Sequence, residues 1–254
     1  MTQGAHIVAK DVTLRYATRG VLNGVDLSVT PGELLALLGP SGCGKSSLLR
    51  AIAGLTRITS GSIFVDGMAI DGPRPEVALA FQDPCLLPWL TVERNVAFGL
   101  TFARQPQLSR VSRRERVTNA LAAVGLEHAR HWLPSQLSGG MAQRAALARC
   151  LTREPRALLL DEPFGALDEV TRADMQQLLI AAVRNTGASA LFVTHDIDEA
   201  LLVADQIVLL GNRGKLVGRW AVDLPQPRHT QVRSLGELRI SILQALQDSI
   251  LVAA

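Results

Sequence analysis

The sequence predicts an α/β fold in which a parallel-stranded core is interrupted by a helical insert. Three observations carry that expectation. Short apolar blocks alternate with stretches of helical spacing over most of the 254 residues. One block, Glu33–Gly39, runs straight into a glycine-rich loop and then a helix. A second, Ala157–Leu160, ends in two adjacent carboxylates, Asp161 and Glu162. Blocks such as Ala-Leu-Leu-Leu are apolar throughout, which suits parallel strands covered on both faces.

In order, Val8–Tyr16 and Val21–Val29 read as strands joined by a turn. Ser46–Gly54 reads as a helix. Ser62–Val65 and Met68–Ile70 flank Asp66-Gly67, a strong hairpin signal. These pieces predict an antiparallel β subdomain at the N-terminal side. Val77–Phe81 is another short strand. From Thr91 to about Arg153 the signals are helical and no strand is convincing. Strands return at Ala157–Leu160, Ser189–Thr194 and Gln206–Leu210, and Asn212-Arg213-Gly214 reads as a turn. The division expected is a first core segment at 1–82, a helical subdomain at 83–153, a second core segment at 154–222, and an extension at 223–254 to which no role is given.

Composition sets limits. The chain is 48% hydrophobic and 19% charged, which is globular and large enough for a sizeable core. A net charge of +3 suits phosphate ligands, nucleic acid or an anionic membrane surface without choosing among them. Arg104–Arg116 holds five arginines, and reads as a solvated helix or loop, or as a phosphate or lipid contact. No apolar run approaches the roughly 20 residues that span a bilayer, and Met1–Lys10 lacks a signal-peptide core. The expectation is a cytoplasmic protein. Cys43, Cys85 and Cys150 are odd in number and widely spaced, as reduced thiols would be.

Gly39-Pro40-Ser41-Gly42-Cys43-Gly44-Lys45-Ser46, followed by Ser47, fits the phosphate-loop pattern in full. Glycines let backbone N–H groups turn inward around the α- and β-phosphates, and the following helix points its positive end at the same anion. Lys45 would reach the β/γ-phosphates and the Ser46 hydroxyl would ligate Mg²⁺. This motif alone indicates a bound nucleoside triphosphate, and kinases, GTPases and transporters share it. Cys43 sits beside Lys45 and a helix N-terminus, which favour a thiolate; a small unreactive loop residue fits equally. Asp161 would be the acidic partner of Ser46 at the metal, and Glu162 the general base that polarises the attacking water.

Between these motifs stands Leu137-Ser138-Gly139-Gly140-Met141-Ala142-Gln143-Arg144. With it the chain resembles the ATP-binding-cassette family, whose signature is Leu-Ser-Gly-Gly. Ser138 is also a sound helix N-cap, and a cap is itself an anion site. The resemblance implies that Ser138, Gly139 and Gly140 contact the γ-phosphate held by an opposite subunit. It also implies that Tyr16 stacks on adenine, although alone Tyr16 reads as a strand residue. Gln82 would sense Mg²⁺ and join the core to the insert, and Asp168, in Ala166-Leu167-Asp168, would lie at the dimer interface. His195 would contact the γ-phosphate, where a lone histidine after a strand is usually structural. Two departures stand out. Met141 replaces a common Gln, with Gln143 placed to substitute in part, and Cys150 replaces a common Ala.

Phe81-Gln82-Asp83-Pro84-Cys85-Leu86-Leu87-Pro88-Trp89-Leu90-Thr91-Val92 and Asp223-Leu224-Pro225-Gln226-Pro227-Arg228 resemble the nitrate, sulfonate and taurine importer group. That resemblance implies an ATPase with ATP and Mg²⁺ as cofactors, working as a homodimer. Its partners would be two transmembrane permease subunits and an external solute-binding protein acting through them. Its place would be peripheral, on the cytoplasmic face of the inner membrane. Leu86–Trp89 is the segment expected at the permease. An exporter ATPase or a soluble ATPase of the same family is the alternative. A single cassette with a short insert argues against a nucleic-acid partner.

Overall fold

The computed structural model describes residues 4–17 and 19–251. Its centre is a six-stranded sheet built from β3 (Leu34–Leu38), β6 (Val77–Ala80), β7 (Ala157–Asp161), β8 (Ser189–Thr194), β9 (Gln206–Leu210) and β10 (Leu216–Ala221). The spatial order is β10-β9-β3-β8-β7-β6. Pairing is parallel from β9 through β6, and only β10 runs antiparallel, along β9. The C-terminal ends of β3, β6, β7 and β8 therefore share one edge, where an open α/β sheet offers its binding crevice.

The central strands are apolar along most of their length because both faces are covered: β3 is apolar throughout, and β7 is apolar up to Asp161 at its end. In β3, Leu35 and Leu37 enter one core while Leu34, Ala36 and Leu38 enter another. β7 divides in the same way, Ala157 and Leu159 against Leu158 and Leu160. The first core is closed by helix α1 (Lys45–Ile52) and by a four-stranded antiparallel sheet. That sheet has the order β2-β1-β4-β5, from β1 (Ile7–Tyr16), β2 (Arg19–Val29), β4 (Ser60–Val65) and β5 (Met68–Ala69). The Asp66-Gly67 turn joins β4 to β5 with φ of 53° and 74°, the left-handed pair a two-residue hairpin requires.

The second core lies under α5 (Glu169–Thr186), α6 (Ile197–Val203) and α7 (Val232–Leu251). The extension at 223–254 thus contributes to the core through its described part. Ile242 is fully buried there, and Arg239 pairs with Asp198 at 2.8 Å. Arg228 is also buried, with its guanidinium on the carbonyls of Leu224, Leu201 and Val222. A third, smaller core belongs to the helical insert, between α2 (Val92–Ala97), α3 (Arg110–Ala123) and α4 (Gly139–Leu151). Helix α4 serves two cores: Ala145 and Ala148 face the insert, and Leu147 and Cys150 face the sheet.

Candidate nucleotide site

β3 ends at Leu38, and the chain must turn tightly beneath β9 to enter α1. At Gly39 a Cβ would lie 2.2 Å from the Leu210 carbonyl oxygen, so no other residue fits. Gly44 caps α1 at φ 111°, with no side chain bonded to the first-turn N–H groups. Those donors and the positive helix end are left facing outward, which is the condition for holding an anion. Lys45 is buried, and its ammonium donates to the carbonyls of Gly39 (2.8 Å) and Pro40 (2.9 Å). A groove of about 800 Å³ opens here, lined by Ser41–Ser47, with Tyr16, Arg19, Glu162 and Asn212 around it. Tyr16, at the end of β1, is about half exposed.

The Ser46 hydroxyl donates to Asp161 Oδ1 at 2.7 Å. Among the described residues no three His, Cys, Asp or Glu side chains converge as a metal cluster. The Ser46–Asp161 pair is instead the kind of two-oxygen set that a hard divalent cation takes when phosphate and water complete its shell. Gln82 reaches the residue next to this pair. Its amide donates to Glu162 Oε2 at 3.3 Å.

Glu162 follows β7 with φ 46°, a left-handed backbone unusual outside glycine. Its N–H is tied to the Val193 carbonyl at 3.1 Å. Just beyond, Phe164 is fully buried and packs edge-on against Phe192, with ring centroids 5.8 Å apart. Such a pair adds about 0.5–1.5 kcal/mol beyond its burial, and here it fixes the turn that aims Glu162. His195, at the end of β8, places Nδ1 at 3.5 Å from Glu162 Oε1. Glu162 is therefore flanked by Gln82 on one oxygen and His195 on the other.

Four expected site residues lie elsewhere. Ser138 caps α4, its hydroxyl accepting from the Met141 N–H at 3.3 Å, and Gly139 faces open space. Gly140 is buried against α5, where a Cβ would meet Thr171 Cγ2 at 2.2 Å. None of these three lines the groove around Lys45. Asp168 caps α5, and the Thr171 hydroxyl and N–H hold its carboxyl below the usual range. Gln143, placed in the sequence to substitute in part for the Gln that Met141 replaces, faces the core side of α4. It is buried, and its amide donates to the Gln82 carbonyl at 2.7 Å, so it braces the loop that carries Gln82. At Cys43 the environment favours the unreactive of the two readings. Burial pushes its thiol up, and Lys45 only partly opposes that.

Sequence reasoning passed over the groups that hold the loops. Glu199 is buried; its Oε2 accepts from Thr194 Oγ1 at 2.6 Å, and its Oε1 lies 3.7 Å from Arg172 Nε. Arg172 also donates to the Leu167 carbonyl at 3.0 Å, so one pair ties the His195 turn to the 166–168 loop. Burial raises the Glu199 carboxyl, helped by Asp196, while Thr194, Arg172 and His195 oppose. The spacing Asp196-x-x-Glu199 has the form of a capping box, but the Asp196 N–H donates to Thr194 Oγ1 and the Glu199 carboxylate turns to Thr194 and Arg172, so the spacing does not reveal its role. In the 82–90 loop, fully buried Asn95 donates to Leu87, Leu90 and Thr91 carbonyls, and Arg149 grips Pro84 and Cys85 carbonyls at 2.7 Å each. Trp89 stands on this braced loop at 71% exposure, so it does not pack within the insert.

Comparison with known proteins agrees with this geometry. Residues 22–165 match the family model described as ABC transporter. The aliphatic sulfonates import ATP-binding protein SsuB 1 of Xanthomonas axonopodis pv. citri is 46% identical over 96% of this chain and 95% of its own. The nitrate import ATP-binding protein NrtC of Synechocystis is 43% identical over 82% of this chain but only 31% of its own. Among solved structures, the dimeric post-hydrolysis form of the ATP-binding cassette MJ0796, bound to ADP and Pi, superimposes with a TM-score of 0.77 at 31% identity. It covers 86% of this chain and all of that one. A loop that cradles phosphate, a Ser–Asp pair and a flanked carboxylate thus recur where sequence similarity is also strong, and the chain belongs to the ABC transporter family as one of its ATPase subunits.

Proposed function

We propose that two copies of this chain hydrolyse ATP to drive uptake of a small anionic or zwitterionic solute, such as a sulfonate, taurine or nitrate. They would sit on the cytoplasmic face of the membrane against two permease subunits fed by an external solute-binding protein. The observation that carries the proposal is the placement of Glu162. Its carboxylate is held between Gln82 and His195 at the edge of the groove that Lys45 and Ser46 also line.

Each residue then has a task. Backbone N–H groups of 39–46 and the Lys45 ammonium bind the phosphates. Ser46 and Asp161 would hold Mg²⁺, which supplies charge neutralisation at the β- and γ-phosphates. Glu162 takes a proton from the attacking water, and His195 and Gln82 orient that carboxylate. Tyr16 offers an exposed ring to the base. Ser138 of the partner subunit would donate to the γ-phosphate, closing a groove that is open to solvent on one side. Donors placed where transition-state charge develops are worth most when water is excluded.

The importer reading rests on the resemblance of 81–92 and 223–228 and on the named relatives. Trp89 supports the permease contact, since its loop is fixed from below and its ring is presented outward. The test is reconstitution in proteoliposomes with a cognate permease and binding protein. Uptake of a sulfonate, taurine or nitrate should require ATP. Trp89→Ala should abolish uptake while leaving the basal ATPase of the isolated chain within about twofold, as for a surface change that touches no site group. Uptake unaffected by Trp89→Ala would remove that contact. Outward movement of solute would remove the importer reading.

A further inference from the structure

Positive charge is unevenly spread over this chain. Residues 91–117 contain six arginines and two glutamates, an excess of four, against +3 for the whole protein. Two of these arginines are engaged: Arg116 pairs with Glu154 at 2.6 Å, and Arg104 donates to the Pro73 carbonyl at 3.1 Å. The other four, Arg94, Arg110, Arg113 and Arg114, have no carboxylate within ion-pairing distance among the described residues. All four line one open cavity of about 380 Å³ between α2 and α3, with Ala97, Leu100 and Val117 as its apolar lining. Glu93 is the single carboxylate there, and Arg130 already holds it at 3.0 Å. Arg113 Nε is buried without a hydrogen-bond partner.

This arrangement works against the helix that carries it. The first turn of α3 has no acidic residue, and Arg110, Arg113 and Arg114 crowd the end where the helix dipole is already positive. Arg110 and Arg114 are also a like-charged i,i+4 pair, which repels. An anion in the cavity would reverse both penalties and satisfy the orphaned Arg113 nitrogen. The surroundings indicate what carries the anion. Phe98, Phe102 and Val111 are exposed next to the cluster, and Phe102 shares a small cleft with Arg113. Arginines beside exposed aromatic side chains are the chemistry of a membrane interface, where rings enter the headgroup layer and guanidinium groups meet phosphate. A soluble phosphate would need no such apolar collar.

We propose that Arg94, Arg110, Arg113 and Arg114 form a binding site for the phosphate headgroup of an anionic phospholipid, by which the helical insert contacts the bilayer. The proposal rests on the reading of the chain as a peripheral membrane subunit. Its test is separable from that reading, because the four arginines lie outside the nucleotide groove.

The experiment is flotation of the full chain with phosphatidylcholine vesicles, with and without phosphatidylglycerol. Binding is expected only with phosphatidylglycerol and should fade as salt is raised. Each basic side chain at an anionic surface contributes about fivefold to partitioning, so Arg110→Gln, Arg113→Gln and Arg114→Gln together should weaken it by about 10²-fold. ATPase activity, the check on folding, should be unchanged. The corresponding Lys substitutions should retain binding. Removing three exposed arginines elsewhere (Arg57→Gln, Arg219→Gln, Arg233→Gln) should cost far less. Equal losses in the two triple variants would overturn the site in favour of net charge alone. Arginine-dependent binding of inorganic pyrophosphate without vesicle binding would overturn the lipid and assign a soluble phosphate. Loss of permease binding with vesicle binding intact would assign the patch to the permease. A wild-type chain that ignores phosphatidylglycerol would overturn the proposal outright, whatever the variants do.

Discussion

Replacing Glu162 by Gln tests the division of labour between binding and chemistry. The change removes a base and keeps the shape. The Gln82 amide at 3.3 Å and the His195 Nδ1 at 3.5 Å lose an ionised partner, but an amide oxygen still accepts from one of them. The strained backbone at φ 46° is held by the Glu162 N–H to Val193 and by buried Phe164, and neither depends on the carboxylate. Stability should therefore change by no more than about 0.5 kcal/mol, the usual range away from buried features. The groups that grip phosphate, Lys45 and the Ser46–Asp161 pair, make no contact through Glu162. ATP affinity should stay near that of the parent. Loss of a general base costs about 10²-fold or more in rate, which is about 2.7 kcal/mol of barrier. The assay pairs phosphate release under single-turnover conditions with direct nucleotide binding, and gel filtration should find an accumulated ATP-bound dimer. Near-normal turnover would refute the role of Glu162. An affinity that falls in step with the rate would refute the separation of roles.

Two further outcomes follow from buried groups. Maleimide should label Cys85, which is exposed, and leave Cys43 and Cys150 untouched, because burial raises the Cys43 thiol and pushes Cys150 up to about 11. Cys85→Ser should then abolish labelling, and persistent Mg-ATP-sensitive labelling of that variant would restore the reactive reading of Cys43. The raised Glu199 carboxyl means that the native state binds its proton more tightly than the unfolded chain, so its penalty appears as pH climbs out of the carboxylate range. In a His195→Ala background, which removes the neighbouring imidazole, Glu199→Gln should gain stability relative to that background from pH 4 to pH 8. A flat or opposite trend in denaturation midpoints would contradict it.

The fold was legible where one residue type serves one environment. β3, the first four residues of β7 and the middle of β8 are apolar without interruption because both faces are covered, and that pattern is visible without a structure. The phosphate loop and Asp161-Glu162 were legible because a full glycine-spaced pattern and paired carboxylates each follow directly on an apolar strand. The supporting groups were not legible. Arg228, Asn95 and Glu199 are buried polar side chains whose partners are carbonyls and hydroxyls remote in sequence or hidden in loops. Polarity alone places such residues at the surface. The bond of Gln143 to the Gln82 carbonyl was hidden for a related reason, since it joins helix α4 to a loop 61 positions earlier. Cys43 looked activated by Lys45, yet desolvation is the larger effect. The segment beyond residue 222 gave no motif with a chemistry, but its apolar spacing buries Ile242 against the second core.

The central claim is that each ATP site is completed by a second copy, because Lys45 lines a groove that Ser138 does not reach within one chain. The most direct measurement uses two inactive variants, Lys45→Ala and Ser138→Glu, carrying different affinity tags. Each homodimer damages both of its sites and should be inactive. In a two-fold mixed dimer, a shared arrangement puts both defects in one site and leaves the other intact. The mixed dimer isolated through both tags should therefore recover ATPase activity. A mixed dimer that forms from folded chains and stays as inactive as its parents would show that each site lies within a single chain.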